Sequence, residues 1–327
     1  MIARIGPVRL AILGALLLML GWGAHFFWGW YGPGPLDKET SFVVPDGASV
    51  GSIAGKLEAE GAIASASTFR ARARLLGAKD PIKAGEFSLP AHASGSTILL
   101  ILQGREGVMR RLVNVPEGMP SVMVAERLMA QPLLTGPVAV PAEGSVLPDS
   151  YDFRRGEARS AVLARMQAAM TTTLAKLWAE RGPDTVATTP QEAVILASIV
   201  EKETGKPSER KMVAGLYSNR LRKGMRLQAD PTIIYPITKG KPLGRRILAS
   251  EIHARNDYNT YTMAGLPKGP ITNPGRLSIE AVLHPAQTKA LYMVADGKGG
   301  HVFADTLEQH NANVAKWFAL RRSRGEL

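Results

Sequence analysis

The sequence predicts an α+β protein with one N-terminal transmembrane helix, a small α+β module and a larger mixed α+β domain. Residues 10–31 are apolar or neutral apart from one histidine, and such a stretch is long enough to cross a bilayer as one helix. Short strand-like and helix-like patterns alternate through residues 40–108. Residues 109–327 combine capped helices with extended segments that end at Gly and Pro.

The composition excludes several classes of site. The chain has 327 residues, no cysteine and a formal net charge of +12. Without cysteine there are no disulfides, thiolate metal sites or cysteine nucleophiles. The positive charge favours nucleic acid, an anionic membrane face or an acidic polymer as surroundings. The basic residues follow no aromatic-interleaved motif, and an exported chain seldom meets nucleic acid, so we expect no nucleic-acid partner.

The apolar segment at residues 10–31 predicts the compartment. Arg4 and Arg9 precede it, and the first acidic residue is Asp37, so the positive-inside rule places residues 1–9 in the cytoplasm and the rest outside. A cleaved signal peptide is the alternative, but the apolar run is longer than a signal core and ends in bulky aromatic residues. We therefore expect an uncleaved single-pass anchor in the inner (cytoplasmic) membrane, with periplasmic or otherwise extracytoplasmic domains.

The module at residues 40–108 is predicted to have the order strand, helix, helix, strand. The strands are expected at residues 41–44 and 85–89, the helices at 49–60 and 67–76, and a further short helix at 96–103. This order resembles the LysM fold, a glycan-binding module, so we describe the segment as LysM-like. An ordinary packing module without a ligand is the alternative.

The larger domain is predicted to begin with a strand at residues 110–115. The expected elements that follow are a helix at 121–129, a polar loop at 143–151, helices at 157–181, 189–205 and 208–223, a short helix after Asp230, a hairpin around 296–300 and a terminal helix capped by Asp305. The loops at 256–261 and 266–275 have no periodicity but many aromatic and amide side chains, which is typical of a binding surface.

The helix at residues 189–205 has the clearest signals. Thr189 is a good N-cap, Pro190 occupies the first helical position, and Glu192 completes a capping box. Residues 193–200 are apolar except for Ser198, which predicts a helix buried on all sides. Gly205 is expected to end it.

Glu201 is the first charged residue after the buried run, in the last turn of this helix. Burial and the negative end of the helix dipole both disfavour a charged carboxylate there, as a general acid at neutral pH requires. The alternative is that Glu201 marks the point where the helix leaves the core. Glu203 cannot face the same way, because helical residues two apart point to different sides. Whether Asp230 or Asp257 approaches Glu201 depends on the fold.

Other chemistries find no support in the motifs. The glycine-rich segment 297–300 lacks the spacing of a phosphate-binding loop and precedes a strand. The histidines are not paired as in zinc enzymes. We therefore expect neither a metal nor a cofactor.

Residues 195–204, which read Ile-Leu-Ala-Ser-Ile-Val-Glu-Lys-Glu-Thr, resemble the signature of the YceG-like family of membrane-anchored endolytic murein transglycosylases. Further motifs similar to the family's lie in register at residues 208–210, 219–221, 224–232, 258–261, 265–267, 273–275, 284–286 and 294–301. The resemblance covers about residues 143–320 and makes 109–327 the expected catalytic domain. Residues 132–141 match poorly.

This resemblance implies a lytic cut of peptidoglycan between N-acetylmuramic acid and N-acetylglucosamine. The position that matches the family's catalytic glutamate is Glu201, acting alone, first as acid and then as base. The sugar's own primary hydroxyl is the nucleophile and closes a 1,6-anhydromuramic end. The implied role is to terminate or trim nascent strands, with peptidoglycan synthases as partners. The other motif residues are candidates for substrate binding or support: Glu203, Asn219, Gln228, Asp230, Tyr258, Asn259, Tyr261 and Asn273.

Some of these residues have a simpler structural explanation. Asp230 could only cap its helix, Asn219 and Arg220 could only tie their helix to the core, and Glu203 could support Glu201 or be a solvated helix end. For the whole protein, a non-catalytic peptidoglycan-binding scaffold and a hydrolytic muramidase are the alternative functions.

Overall fold

A computed structural model of the protein describes residues 7–77, 79–104, 109 and 111–326. Most of the predicted cytoplasmic segment, including Arg4, and the end of the predicted module at 105–108 lie outside the described residues. Helices and short two-stranded sheets make up the fold, which confirms the mixed α+β prediction. The chain divides into two compact units, Met1–Arg111 and Leu112–Leu327, and each is described separately.

The first unit begins with α1, Pro7–Tyr31. Its segment Leu10–Tyr31 has a mean hydropathy of 1.9 and is long and apolar enough to cross a membrane, a property that an N-terminal signal sequence shares. The final turn of α1 packs on the module that follows. Trp30 is buried there, with its ring centroid 5.6 Å from that of Phe69.

The rest of the first unit contains β1 (Thr40–Val44), α2 (Val50–Ala59), α3 (Ala66–Leu76), β2 (Gly85–Leu89) and α4 (Gly95–Gln103). The two strands pair antiparallel, with Phe42 opposite Phe87, and both rings are buried against the helices. The predicted order of strand, helix, helix, strand is confirmed. The LysM-like character of this module stays a prediction.

The second unit contains most of the helices. Its elements are β3 (Arg111–Asn114, which begins at the preceding unit's last residue), α5 (Ser121–Met129), β4 (Ser150–Phe153), α6 (Arg159–Ala179), α7 (Pro190–Glu203), a 3₁₀ turn (Pro207–Glu209), α8 (Arg210–Arg222), α9 (Pro231–Thr238), α10 (Ala249–Ile252), α11 (Arg276–Leu283), β5 (Tyr292–Ala295), β6 (His301–Ala304) and α12 (Leu307–Ser323). The strands β5 and β6 form the predicted hairpin.

Two local predictions in this unit outside α7 were wrong. The strand β4 begins within the segment predicted as a polar loop and pairs with β3, and its Phe153 is buried in the core beneath. The N-cap of α12 is Thr306, whose hydroxyl accepts the backbone N–H of Gln309 at 3.3 Å. Asp305, the predicted cap, lies one residue earlier.

The helix α7 is the core of the second unit, as its apolar run predicted. It packs against α6, α8, α9 and α11, and Leu196, Ala197 and Ile199 are fully buried. Ser198, the polar exception in the run, is satisfied inside this core. Its Oγ donates to the carbonyl of Ile195 at 2.7 Å and accepts the N–H of Ile271 at 3.1 Å, so it ties a distant loop to the helix.

The ends of α7 differ in detail from the prediction. Thr189 caps the N-terminus by accepting the N–H of Glu192 at 3.1 Å, but the Glu192 carboxylate binds the N–H and hydroxyl of Thr188 instead of closing the box. At the other end Thr204 is already extended. Its hydroxyl accepts the N–H of Lys206 and donates to Glu209, so the helix ends before Gly205.

Candidate active site

The last turn of α7 places Glu201 and Glu203 on different sides of the helix, because residues two apart are separated by about 200° of rotation. Glu203 faces a cavity of about 350 Å³, whereas Glu201 lies outside that cavity. The cavity is built from α7, α8, the turn before α9, the 256–262 loop and β5. Its polar lining consists of Lys202, Glu203, Tyr217, Arg220, Gln228, Asp230 and Tyr261.

The carboxyl group of Glu203 is poised to exchange a proton near neutral pH. Burial raises its pKa to about 7, and the nearby carboxylate of Asp230 adds to the effect. A hydrogen bond from Tyr217 and the positive charge of Arg220 partly oppose the rise. Although the residue as a whole is partly exposed, its Oε1 atom is buried and accepts no hydrogen bond from the described residues. A group with this pKa can act as acid or base.

Asp230 and Tyr261 form a hydrogen-bonded pair in the wall of the same cavity. The Tyr261 hydroxyl donates to Oδ1 of Asp230 at 2.6 Å. Asp230 occupies the N-cap position of α9, but its side chain makes no capping hydrogen bond there. The geometry therefore argues against a role limited to capping.

The turn that carries Gln228 and Asp230 is held in place by buried hydroxyl groups. Gln228 has φ +53°, a left-handed conformation that is costly for a residue other than Gly. Its N–H donates to the carbonyl of Thr260 at 3.1 Å, and the N–H of Ala229 donates to the Thr260 hydroxyl at 3.0 Å. The hydroxyls of Thr232 and Thr260 lie 2.8 Å apart. These contacts stabilise a strained turn that presents Gln228 to the cavity.

Glu201 is a buried, paired carboxylate. Its side chain is 5% exposed, and it accepts hydrogen bonds from the N–H of Gly275 at 2.8 Å and from Arg210 at 3.3 Å. Arg210 also donates to Glu117 at 2.7 Å. Both oxygens of the Glu201 carboxylate therefore have hydrogen-bond partners. The arrangement ties the loop at Gly275 to α7.

A sequence model of the YceG-like family matches residues 42–316. The chain belongs to the YceG-like family. The sequence motifs had predicted this membership, and it is confirmed.

Two curated relatives of this YceG-like protein are named endolytic murein transglycosylase. The Bacillus subtilis protein is 32% identical over 185 residues, which cover 56% of this chain and 50% of the relative. A Streptococcus pneumoniae protein is 33% identical over 180 residues, which cover 53% of this chain and 32% of the relative. The chain thus spans half or less of the length of these relatives.

A solved structure is also similar. The crystal structure of the yceG-like protein lmo1499 from Listeria monocytogenes superposes with a TM-score of 0.53 and 27% identity. The superposition covers 84% of this chain and 98% of the Listeria chain. The similarity therefore extends over most of the described fold.

Two other predicted site residues of this YceG-like protein, Asn259 and Asn273, are fully buried and hold loops in place through hydrogen bonds. Asn259 donates to three backbone carbonyls at the end of α10 and its Oδ1 accepts the N–H of Tyr261. Asn273 accepts the N–H of Val146 at 3.0 Å and donates to the carbonyl of Met119 at 2.9 Å. Both side chains organise loops and lie outside the cavity.

Two further predicted residues, Asn219 and Tyr258, lie outside the cavity around Glu203. Asn219 donates to the carbonyls of Thr288 and Ala290 at 2.8 and 3.1 Å, so it ties α8 to the segment before β5, as the simpler explanation had it. The ring of Tyr258 packs 4.8 Å from that of Tyr235.

The cavity also contains Lys202, Arg220 and Tyr217, which were not predicted as site residues. Tyr217 makes a hydrogen bond to Glu203. It is 2% exposed, and burial together with the Glu203 charge raises its pKa well above the ordinary value, so it stays a neutral donor. Arg220 beside it donates to the carbonyls of Leu291 and Leu227 at 2.7 and 2.6 Å. The sequence did contain a signal for Tyr217. It lies four residues after Val213, a predicted core position, and residues four apart share one face of a helix, so both face the buried side of α8.

Among the described residues, no three His, Asp or Glu side chains lie close enough together to bind one metal ion.

Proposed function

We propose that this YceG-like protein is an endolytic lytic transglycosylase that cleaves the bond between N-acetylmuramic acid and N-acetylglucosamine in peptidoglycan and leaves 1,6-anhydromuramic ends. The observation that carries the proposal is Glu203, a carboxyl group with a pKa of about 7 in an open, polar cavity. The names of the two curated relatives support the same substrate class.

In the proposed reaction, protonated Glu203 donates its proton to the glycosidic oxygen while the bond from the muramic C1 to that oxygen breaks. The electron pair of the bond leaves with the oxygen, and positive charge develops at C1. The Glu203 carboxylate then removes the proton from the muramic C6 hydroxyl as its oxygen attacks C1. The ring closes, Glu203 is protonated again, and no water is consumed.

The neighbours of Glu203 have separate roles in this proposal. Asp230, held by Tyr261, lies close enough to raise the Glu203 pKa and can stabilise the positive charge that develops on the sugar. Tyr217 and Arg220 oppose that rise and favour the carboxylate that must serve as base. Gln228 offers an amide to the sugar hydroxyl or acetamido groups.

The sequence motifs assigned the acid and base role to Glu201, and this assignment is the alternative. Paired Glu→Gln variants separate the two. We expect Glu203→Gln to fold and release no anhydro-ended fragments from purified sacculi, and Glu201→Gln to retain cleavage in the fraction that folds. An inactive, fully folded Glu201→Gln protein beside an active Glu203→Gln protein would reverse the assignment.

A hydrolytic muramidase is the second candidate, because Glu203 and Asp230 line one cavity and hydrolytic glycosidases use two carboxylates. Mass spectrometry of the released ends distinguishes the two reactions. The hydrolytic product is heavier by one water and carries a reducing muramic end. If the parent protein bound sacculi without creating new glycan ends, it would instead be a non-catalytic peptidoglycan-binding scaffold.

The anchoring of the enzyme is also part of the proposal. Residues 10–31 would hold it in the cytoplasmic membrane with its N-terminus inside. The LysM-like module and the catalytic domain would then face nascent strands and their synthases. Protease treatment of spheroplasts tests the orientation, since it should degrade the catalytic domain and spare an N-terminal tag.

A further inference from the structure

A second cavity of about 380 Å³ adjoins the one around Glu203. Gln228 and Tyr261 line both cavities, so they form the boundary between them. The rest of the second wall comes from the segment before α9 and from the end of α10, and it includes Arg226, His253 and Arg255. The volume is within the range of small-ligand sites.

The two cavities differ in charge. The cavity around Glu203 has two carboxylates, Glu203 and Asp230, balanced by Lys202 and Arg220. The residues that line the second cavity include two arginines and no Asp or Glu. This cavity therefore favours an anionic occupant.

The nearby acidic side chains do not neutralise these arginines. Glu251 is paired with Arg245 on the same segment, and this pairing holds its pKa at about 2. Asp257 is paired with Lys268 at 3.0 Å. Within the described part of the chain, no carboxylate is paired with Arg255, which is exposed to solvent.

Arg226 connects the second cavity to the reaction centre. Its Nη1 donates to the carbonyl of Tyr261 at 3.0 Å, and the hydroxyl of the same tyrosine holds Asp230. A ligand bound to the guanidinium groups would therefore lie beside the residue that positions Asp230.

We propose that the second cavity binds the carboxylates of the peptide attached to the muramic acid next to the bond that is cut. This inference rests on the proposed function, since peptidoglycan is the substrate it assumes. The peptide is an anionic chain that branches from the sugar, so it needs a separate pocket next to the catalytic one. Guanidinium groups bind carboxylates through paired hydrogen bonds. The enzyme then prefers strands that carry peptides over strands whose peptides have lost their charge.

The test compares two substrates and three variants of the full chain in detergent. The substrates are glycan strands with intact peptides, and the same strands after carbodiimide and ammonia have converted the peptide carboxylates to amides. The variants are Arg255→Gln, Arg226→Gln and, as a control, Arg322→Gln, which changes an exposed arginine that lines neither cavity. The readouts are KM and kcat for cleavage, and affinity for the strands in a Glu203→Gln background.

We expect Arg255→Gln to raise KM about tenfold on intact strands, the lower range for a hydrogen bond to a charged group, with kcat nearly unchanged. On amidated strands the parent should show a similar rise, and Arg255→Gln should add nothing to it. Arg226→Gln should also lower kcat, because Arg226 holds Tyr261. The control should behave as the parent on both substrates.

Equal effects of Arg255→Gln on intact and amidated strands, or no preference of the parent for intact strands, would overturn the inference. A parent that cuts neither substrate would refute the proposed reaction. The affinities in the Glu203→Gln background would then decide by themselves whether the arginines recognise the carboxylates. The two failures are thus distinguishable.

Discussion

Replacing Glu203 by Gln should stabilise the protein at alkaline pH while it abolishes activity. The pKa of Glu203 rises from the ordinary 4.5 to about 7 on folding, so the folded protein holds this proton more tightly than the unfolded chain. Below pH 4.5 both states are protonated and there is no penalty. Between pH 4.5 and 7 the unfolded state ionises first, and stability falls by about 1.4 kcal/mol per pH unit.

The penalty reaches about 3 kcal/mol above pH 7, an order-of-magnitude value that follows from this interval. Glutamine has no such penalty, so Glu203→Gln should match the parent near pH 4 and exceed it at pH 8. For a unit of this size, about 3 kcal/mol raises Tm by at least roughly 6 °C. Thermal unfolding followed by circular dichroism from pH 4 to 9 measures the difference. The charges that face Glu203 are Asp230 and Arg220, which the substitution leaves unchanged.

The matched control is Glu201→Gln, for which the expected sign is reversed. Glu201 is paired with Arg210 and accepts the N–H of Gly275, so its loss leaves a buried guanidinium with one partner fewer. We expect destabilisation of about 2 kcal/mol at pH 7, below the 3–5 kcal/mol typical of a broken buried pair because the amide oxygen still accepts from Gly275. If Glu203→Gln lowered Tm at pH 8 as Glu201→Gln does, the description of Glu203 as a carboxyl group whose pKa is raised by burial would be refuted.

Three other predictions address the remaining parts of the site. Tyr261→Phe removes the hydroxyl that donates to Asp230. We expect kcat to fall about tenfold, as for a lost hydrogen bond to a charged group, while the circular dichroism spectrum stays unchanged. An unaltered kcat would contradict the role of the Asp230–Tyr261 pair. Asn273→Ala leaves the buried N–H of Val146 without its partner and should cost about 2 kcal/mol in urea unfolding, whereas a neutral effect would refute the supporting role. The rate of parent cleavage should decline above pH 7 as Glu203, whose pKa is about 7, loses its catalytic proton; a rate that stayed constant to pH 9 would exclude it as the acid.

Much of the fold was predictable because the signals are local. The N-cap and apolar run of α7, the antiparallel hairpin of β5 and β6, and the element order of the first unit all depend on residues close together in sequence. The strand β4 was missed because its pattern is only four residues long and begins inside a polar segment. Gly205 was expected to end α7, but the hydroxyl contacts of Thr204 with Lys206 and Glu209 end it earlier.

The sequence by itself determined the family, the buried helix α7 and the presence of two carboxylates in its last turn. Helix geometry also required that Glu201 and Glu203 face different sides. Only the tertiary structure decided which side is the cavity. The packing of α8 and of the turn before α9 places Tyr217, Asp230 and Tyr261 around Glu203, while Arg210 and the Gly275 loop close over Glu201. The proton affinity of a carboxylate depends on such neighbours, and they come from segments distant in the chain.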